Sequence, residues 1–333
     1  MLVSASPEQS FAILRAMRVV ATARGSERLT DADRAALIAA GRYMLQVPTP
    51  VDVDALSDIG PEALAKELDT RELASQATQF LAVMALIDGT LDRAKIETVL
   101  PYAAALGISD DYVRQLADSA HGHLKWVLAD MARRNMESIL GYLPDVSLDQ
   151  WIMPYQNGKE DLALAGRYRA LGQLPEGSFG RAFFDFYEAN GFAFPGEPTA
   201  VNEQFATPHD STHVMSGYST SLQGELLVST FTGGMHPDLP MSGHILPVIF
   251  SWHLGIEIVK FAGSATGSLD PEKFWVAWQR GGQTTQDLFA HDWDYWSAVH
   301  DPIDELRRRY SVPELEQAAA ADDSYPDWYH PSA

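Results

Sequence analysis

The amino-acid sequence predicts an all-α protein made of two helical domains. Apolar residues recur at steps of three and four, from Phe11 to Ala21 and again from Ala36 to Met44, which is the period of an amphipathic helix. Long runs of alternating β-branched residues are absent, and the few valine-rich pieces are short and lie beside proline. The chain has 333 residues, which suits about two domains of about 150 residues each.

The N-terminal half contains a faint internal repeat of a helix, a glycine turn and a second helix. The first copy starts at Val19 and turns at Gly25, and the second starts at Ala82 and turns at Gly89. Glycine ends a helix at little cost because it accepts the left-handed conformation. The residues predicted to cap the second helix are Thr30 or Asp31 in the first copy and Asp92 in the second.

This repeat resembles the TerB-like (tellurite-resistance type) helical domain, which is built from such helix pairs. The resemblance covers roughly residues 8–120. We expect a TerB-like domain over residues 1–145, with a second domain over 146–333, because residues 140–158 are rich in proline, glycine and turn-forming side chains. Residues beyond Pro313 are predicted to form an acidic tail.

Composition excludes several classes of partner and site. The net charge of −21 argues against nucleic acid as a partner, because the phosphates would be repelled. The chain has no cysteine, so that any metal must be held by histidine, carboxylate, carbonyl or water. The longest uncharged apolar stretch, 239–256, is interrupted by proline and histidine, and predicts no spanning helix. We expect a cytoplasmic protein without a signal peptide, and peripheral membrane contact is left open.

The densest chemical signal is a group of histidine and carboxylate residues in the C-terminal half. His209 and His213 are four residues apart and lie on one face of a helix, with Asp210 beside them. A turn at Gly217 would bring Glu225 back on the next helix, antiparallel and close. Two imidazoles and two carboxylates suit zinc, manganese or iron, with positions left for water or substrate.

A purely structural interpretation of the same residues exists. Thr207 and Pro208 could be an N-cap and a first helical residue, so that Asp210 would be the third helical residue and favour the helix dipole. On that interpretation the two histidines would simply be polar.

The surrounding pattern resembles the ubiquinone (coenzyme Q) biosynthesis Coq-four family over roughly residues 155–312. The family hallmark is His-Asp-x-x-His, eleven residues and then Glu, and the segment from His209 to Glu225 matches it without a gap. The segments Leu174–Phe194 and Leu239–Met241 also fit, and so do the helix residues Trp278, Arg280, Gly281, Leu306 and Arg307. This sequence departs from the family in having Pro208 directly before the histidine.

The resemblance implies a metal site, with zinc the usual ion, beside an apolar channel for a polyprenylated aromatic ring. It implies His209, Asp210, His213 and Glu225 as the ligands, and either oxidative decarboxylation or hydroxylation of the ring or a scaffold role among biosynthetic enzymes. An ordinary core helix is an equally good interpretation of the channel stretch. The residues named for the channel are Leu239, Met241, Leu246, Ile249, Phe250 and Ile256.

Other interpretations fit the same sequence. The site could belong to a non-catalytic lipid-binding or scaffold protein, with protein partners docking on the N-terminal domain, and a homodimer is not excluded. The pairs His291-Asp292 and His300-Asp301 raise a metal phosphohydrolase as a minor alternative. The run from Arg307 to Arg309 is expected to be a solvated helix end, and the tryptophans from 275 to 296 are expected to be core.

Overall fold

A computed structural model describes residues 4–48, 50–156, 158–258 and 263–315. The prediction of an all-α fold is confirmed, since every regular element in these ranges is helical and the bridges are isolated pairs. The predicted acidic tail lies almost wholly outside the described residues. The α-helices are α1 (Pro7–Ala21), α2 (Asp31–Ala39), α3 (Pro61–Glu67), α4 (Arg71–Met84), α5 (Arg93–Ala105), α6 (Asp111–Ala120), α7 (Leu124–Leu140), α8 (Leu148–Ile152), α9 (Leu162–Ala170), α10 (Phe179–Asn190), α11 (Glu203–Ser216), α12 (Leu222–Met235), α13 (Leu246–Trp252), α14 (Pro271–Gln283), α15 (Tyr295–Ala298) and α16 (Ile303–Arg309).

Both predicted helix pairs of the N-terminal repeat are present, as α1–α2 and α4–α5. Their turns contain Gly25 and Gly89, both in the left-handed region, at φ +84° and +78°. The Thr30 hydroxyl accepts a hydrogen bond from the Asp33 N–H at 3.1 Å and caps α2, while the Asp92 carboxylate caps α5. The local turn and cap chemistry of the sequence therefore determines where these helices begin.

A buried ion cluster joins the two copies of the repeat. The Lys95 ammonium lies 2.7 Å from an Asp88 oxygen and 3.3 Å from an Asp33 oxygen, and all three side chains are buried. Asp33 and Lys95 are each the third residue of their helix, α2 and α5, so that equivalent positions of the two copies pair with each other.

One hydrophobic core extends through both halves of the chain. Its buried members run from Ala12 to Leu315, and α14 packs against α12 and also against α2. The backbones of α12 and α14 approach so closely that a Cβ on Gly281 would overlap the Phe231 carbonyl oxygen. The rings of Trp275 and Trp278 lie 5.1 and 5.5 Å from that of Phe80 in α4. The predicted boundary between residues 145 and 146 falls between α7 and α8, and buried packing continues across it.

Helix α11 begins at Glu203, five residues before the start at Pro208 that the purely structural interpretation requires. Its N-cap is Asn202, whose side chain accepts from the Gln204 N–H, and Pro208 lies inside the helix. The interpretation in which the helix starts at Pro208 is therefore wrong, because the first turn is already closed by the Ala206 N–H bonded to the Asn202 carbonyl at 2.8 Å. The helix ends as predicted at Gly217, where φ is +86°.

Two short π-helical segments, Ala40–Met44 and Pro240–Ile245, interrupt the regular helices. The second follows Leu239, a non-glycine residue at φ +51°. Across the described ranges, none of the helices is both long and apolar enough to cross a membrane.

Candidate metal centre

Helices α11 and α12 bring the predicted ligand atoms together. The Nε2 atoms of His209 and His213 lie 3.3 Å apart. The Glu225 Oε2 atom lies 3.4 Å from the His209 Nε2, and its Oε1 atom lies 3.5 Å from the His213 Nε2. One turn at Gly217 is enough to do this, because it sends α12 back beside α11 with Glu225 in its first turn.

These separations fit a shared metal ion. Two nitrogen ligands at about 2.0–2.1 Å from a tetrahedral zinc ion lie about 3.3 Å from each other. The two nitrogens are 3.3 Å apart, and each lies 3.4 or 3.5 Å from its own oxygen of the Glu225 carboxylate. The donor set of imidazole and carboxylate is one that zinc, manganese and iron accept.

Asp210 lies at the same cluster and is buried. One of its oxygens lies within 4.8 Å of ligand nitrogens of both His209 and His213. Its Oδ2 accepts a hydrogen bond from the Tyr187 hydroxyl at 2.5 Å. Burial raises the pKa of the Asp210 carboxyl, and the two imidazoles and the Tyr187 hydrogen bond oppose that rise. Tyr187 therefore acts as a donor that keeps this carboxylate oriented toward the histidines.

The protein fixes the orientation of both imidazoles. The Nδ1–H of His213 donates to the Tyr218 carbonyl at 2.9 Å, so that the Nε2 lone pair points to the cluster. The His213 ring stacks on Phe186 at 5.4 Å, and the His209 ring stacks on Phe205 at 5.0 Å. Such contacts prevent rotation of the rings and preorganise the site.

The charges in the cluster stabilise one another. Burial disfavours the charged form of Glu225, but the neighbouring His213 and His209 outweigh it and hold its pKa well below the ordinary value. Burial likewise disfavours protonated His213, but the charge and hydrogen bond of Glu225 outweigh it and raise its pKa. The site can therefore hold positive charge, either as protons or as a metal cation.

Two arginines hold the C-terminal end of α11. The Arg280 guanidinium donates to the Ser216 carbonyl at 2.9 Å, and the Arg307 guanidinium donates to the carbonyls of Val214 and Met215 at 2.8 and 3.1 Å. Cations at a helix C-terminus satisfy carbonyls that lack an intrahelical partner. Arg307 thus supports the ligand helix, whereas Arg308 and Arg309 are exposed, as expected for a solvated helix end.

A cavity of about 620 Å³ opens on the cluster. His209, Asp210 and Glu225 are among its lining residues, and aromatic and aliphatic side chains form most of the wall. No lysine or arginine is among the described residues that line it. The aromatic lining residues are Trp151, Tyr187, Phe192, Phe205, Trp252 and Phe289.

The six residues predicted to line the channel do not form the wall of this cavity. Met241, Leu246, Ile249 and Phe250 are fully packed in the core, while Leu239 and Ile256 are partly buried. None of the six is among the described lining residues. The segment faces the cavity through its other side, with Gly243, His244, Pro247, Val248, Ser251 and Trp252.

The remaining histidines occupy separate places. His291 and His300 are exposed, and so are His121 and His123. His253 is buried, and its Nε2 lies 3.0 Å from the Ile87 carbonyl of the N-terminal half. None of these five lines the cavity in the described part of the chain.

Tyr187 and His244 are cavity residues that the sequence did not single out for the site. Tyr187 lies 23 residues before its partner Asp210, with no spacing rule to connect them. The only signal was its position in the Leu174–Phe194 segment, which carries part of the Coq-four resemblance. His244 had no signal beyond its place in the apolar stretch 239–256.

Comparisons of the chain with protein-family models, with curated proteins and with solved structures found no match. The resemblances to the Coq-four and TerB-like families therefore stay predictions that rest on the quoted residues. The features that indicate a function are the cluster of His209, Asp210, His213 and Glu225 and the cavity beside it.

Proposed function

We propose that the protein binds a divalent metal ion through His209, His213, Glu225 and Asp210 and binds or modifies an apolar aromatic ligand beside it. Zinc is the first choice of ion, with manganese and iron as alternatives. The ligand class is a polyprenylated aromatic ring or a similar apolar molecule, as the Coq-four resemblance implies. The observation that carries the proposal is the convergence of two imidazole nitrogens and a carboxylate within 3.5 Å of one another.

The surroundings of the cluster support this proposal. The cavity of about 620 Å³ falls within the size range of small-molecule sites, about 300–1,000 Å³. Its aromatic wall suits an apolar ring. Its lining residues His209, Asp210 and Glu225 supply polar contacts that fix the orientation of a ligand.

Two tyrosines support the proposed metal ligands. Tyr187 donates a hydrogen bond to Asp210, and the Tyr218 carbonyl keeps the His213 Nε2 unprotonated toward the cluster when the imidazole is neutral. A bound divalent ion would supply Lewis acidity to polarise a ligand oxygen.

A non-catalytic role in lipid binding is the second candidate, because the cavity wall is predominantly apolar. It differs from the first only in the absence of turnover. The phosphohydrolase alternative gains no support, since the described lining has no cationic side chain to bind a phosphate.

Metal content tests the proposal. We expect about one equivalent of metal per chain in the zinc-loaded wild type after dialysis, and a large loss in Glu225→Gln and His213→Ala. The control is His253→Gln, which replaces a buried imidazole outside the cavity and should keep the metal. Equal, negligible metal in the wild type and the ligand variants would contradict the site.

Turnover separates the two candidates. Metal-loaded protein incubated with prenylated hydroxybenzoates, followed by mass spectrometry, should yield a changed ring if the protein is an enzyme. Tight binding without any change in ligand mass supports the lipid-binding role.

A further inference from the structure

His244 is the one imidazole that lines the cavity in the described chain besides that of His209. It belongs to the π-helical segment Pro240–Ile245, a type of distortion found frequently at functional sites. Gly243 lets this segment lie against α7, since a Cβ there would come within 3.2 Å of the Arg134 carbonyl oxygen. Asn135 fixes the contact by donating to the Gly243 carbonyl at 2.8 Å.

The contacts of Ser138 determine which nitrogen of His244 carries the proton. The Ser138 hydroxyl donates its hydrogen to the Asp238 carbonyl at 2.7 Å. The same oxygen lies 2.8 Å from the His244 Nε2. Because a hydroxyl has one hydrogen, it must accept from His244, so Nε2 is protonated and, in a neutral ring, Nδ1 carries a lone pair.

A second buried histidine, His236, lies beside His244. The Nδ1 of His236 lies 2.8 Å from an Asp287 carboxylate oxygen, and its Nε2 lies 3.2 Å from the Ser138 carbonyl. Both nitrogens therefore face acceptors, and both donate in the doubly protonated, cationic ring. Burial disfavours this charge, but the Asp287 hydrogen bond and charge outweigh it and raise the pKa of His236.

The His236 ring lies close to His244. The two ring centroids are 5.6 Å apart, edge to face. Burial, followed by the positive charge of His236, lowers the pKa of His244 well below its ordinary value. The opposite pKa shifts favour a charged His236 beside a neutral His244, and the hydrogen-bond partners of each ring determine which nitrogens carry protons.

We propose that His244 presents its Nδ1 lone pair to the cavity as a hydrogen-bond acceptor and selects ligands that carry a hydroxyl group on an apolar body. This inference rests on the proposed function in taking the same cavity as the ligand site. No hydrogen bond joins Nδ1 to any described residue, so the acceptor is left for a ligand or for water.

Charge around the site favours a neutral hydroxyl over other donors. An ammonium group would lose its hydration against a predominantly apolar wall, which is costly for a charge, and a carboxylate brings no hydrogen to donate. The cavity lining has no lysine or arginine to bind an anion in the described chain. A hydroxyl supplies the missing hydrogen without a charge.

A matched pair of probes tests this selectivity. 4-Hexylphenol and 4-hexylanisole share the ring and the alkyl chain, and only the phenol can donate a hydrogen bond. Isothermal titration of the chelator-treated, metal-free protein should show the phenol binding about 10-fold more tightly, the effect of one net hydrogen bond of about 1.4 kcal/mol. Equal affinities in the wild type, or no binding of either probe, would overturn the proposal.

Three variants assign the preference to His244. His244→Gln keeps an amide N–H in reach of the Ser138 hydroxyl but removes the acceptor at the Nδ1 position, so the phenol preference should vanish. His244→Asn keeps an acceptor there and should retain part of the preference. The control His253→Gln alters a buried imidazole outside the cavity and should retain all of it. A His244→Gln variant that still prefers the phenol would refute the assignment.

Two further measurements keep the inference distinct from the metal proposal. The nitrogen-15 NMR signals of His244, identified by their loss in His244→Gln, should show a protonated Nε2 and an unprotonated Nδ1 at neutral pH. A protonated Nδ1 would overturn the proposal even if the variants fold poorly. The phenol preference should persist in Glu225→Gln, whereas failure of the metal site appears in metal content.

Discussion

Asp210 illustrates how a single residue acquires its role from distant contacts. Its sequence neighbourhood allows a helix-capping acid, yet it is 8% exposed and accepts a hydrogen bond from Tyr187 of another helix. A buried carboxylate without such a donor would be costly, because burial favours its neutral form. The Tyr187 hydroxyl therefore stabilises the ionised form that a metal requires.

Replacing Tyr187 by phenylalanine tests this role. We expect the metal affinity of Tyr187→Phe to fall by about 10-fold to 100-fold, because partners that orient a ligand carry effects of that size. The measurement is a competition titration of the metal against a chelator.

Tyr295 supplies the matched control for that substitution. It is buried in the same aromatic cluster, 5.2 Å from Phe183 by ring centroids, but its hydroxyl has no hydrogen-bond partner among the described residues. Tyr295→Phe should therefore leave the metal affinity unchanged. Equal affinities in both variants would show that the bond to Asp210 does not orient the carboxylate.

At the scale of elements, helix α11 is held at both ends by groups from outside it. Asn202 caps its first turn, and Arg280 and Arg307 donate to the last carbonyls. Pro208 removes one internal hydrogen bond, so the ends matter more than in an uninterrupted helix. The two imidazoles lie between these points, one of them in the last turn.

Arg280 is the stronger of the two supports because it is 2% exposed and also donates to the Pro313 carbonyl. We expect Arg280→Met to lower the free energy of unfolding by about 3 kcal/mol, since it leaves buried carbonyls without a donor. Denaturant titration by circular dichroism measures this change.

The control for that variant is Arg308→Met. Arg308 is exposed, and its loss should change stability by less than about 0.5 kcal/mol. Comparable losses in the two variants would mean that the carbonyls at the end of α11 find other donors.

At the scale of the whole molecule, stability depends on contacts between segments far apart in the chain. The cluster of Lys95, Asp33 and Asp88 joins the two repeat copies. The Tyr43 hydroxyl donates to Glu272 at 2.7 Å, and the His253 Nε2 contacts the Ile87 carbonyl, so both join the two halves.

Removing the cation of the buried cluster gives a pH-dependent prediction. Burial raises the pKa of Asp88, but Lys95 and Thr90 outweigh it and lower the pKa overall. The Asp88 contribution to wild-type stability is therefore present above the unfolded pKa of about 3.9 and is lost as the pH falls below it.

In Lys95→Met two buried carboxylates lose their cation, and the variant should be about 3–5 kcal/mol less stable at pH 7. Without Lys95, burial raises the pKa of Asp88, so this loss should shrink between pH 7 and pH 5 as Asp88 becomes protonated. Urea unfolding of the wild type and the variant at both pH values measures it. The exposed Lys66→Met is the control, and a loss in Lys95→Met that is independent of pH would contradict the account.

Local features of the structure followed from the sequence because they depend on neighbouring residues. The turns at Gly25, Gly89 and Gly217 and the caps at Thr30 and Asp92 need only backbone conformation and one side-chain oxygen. The spacing of four residues between His209 and His213 likewise determines a common helix face.

The residues predicted to line the channel show what the spacing along a helix does not determine. Helical spacing groups Met241, Leu246, Ile249 and Phe250, but it does not say whether that face meets the core or the cavity. The π-helical turn at Pro240–Ile245 adds a further rotation that a regular period does not predict.

The sequence by itself determined the helical class, the turns and the pair of imidazoles with a nearby acid, because these depend on separations of a few residues. Only the tertiary structure decided that Tyr187 supports Asp210, that Arg280 and Arg307 hold α11, and that His244 faces the cavity. The contacts of Tyr187, Arg280 and Arg307 join residues 23 to 93 positions apart. Such pairs meet only through the packing of whole helices, for which no local pattern provides a rule.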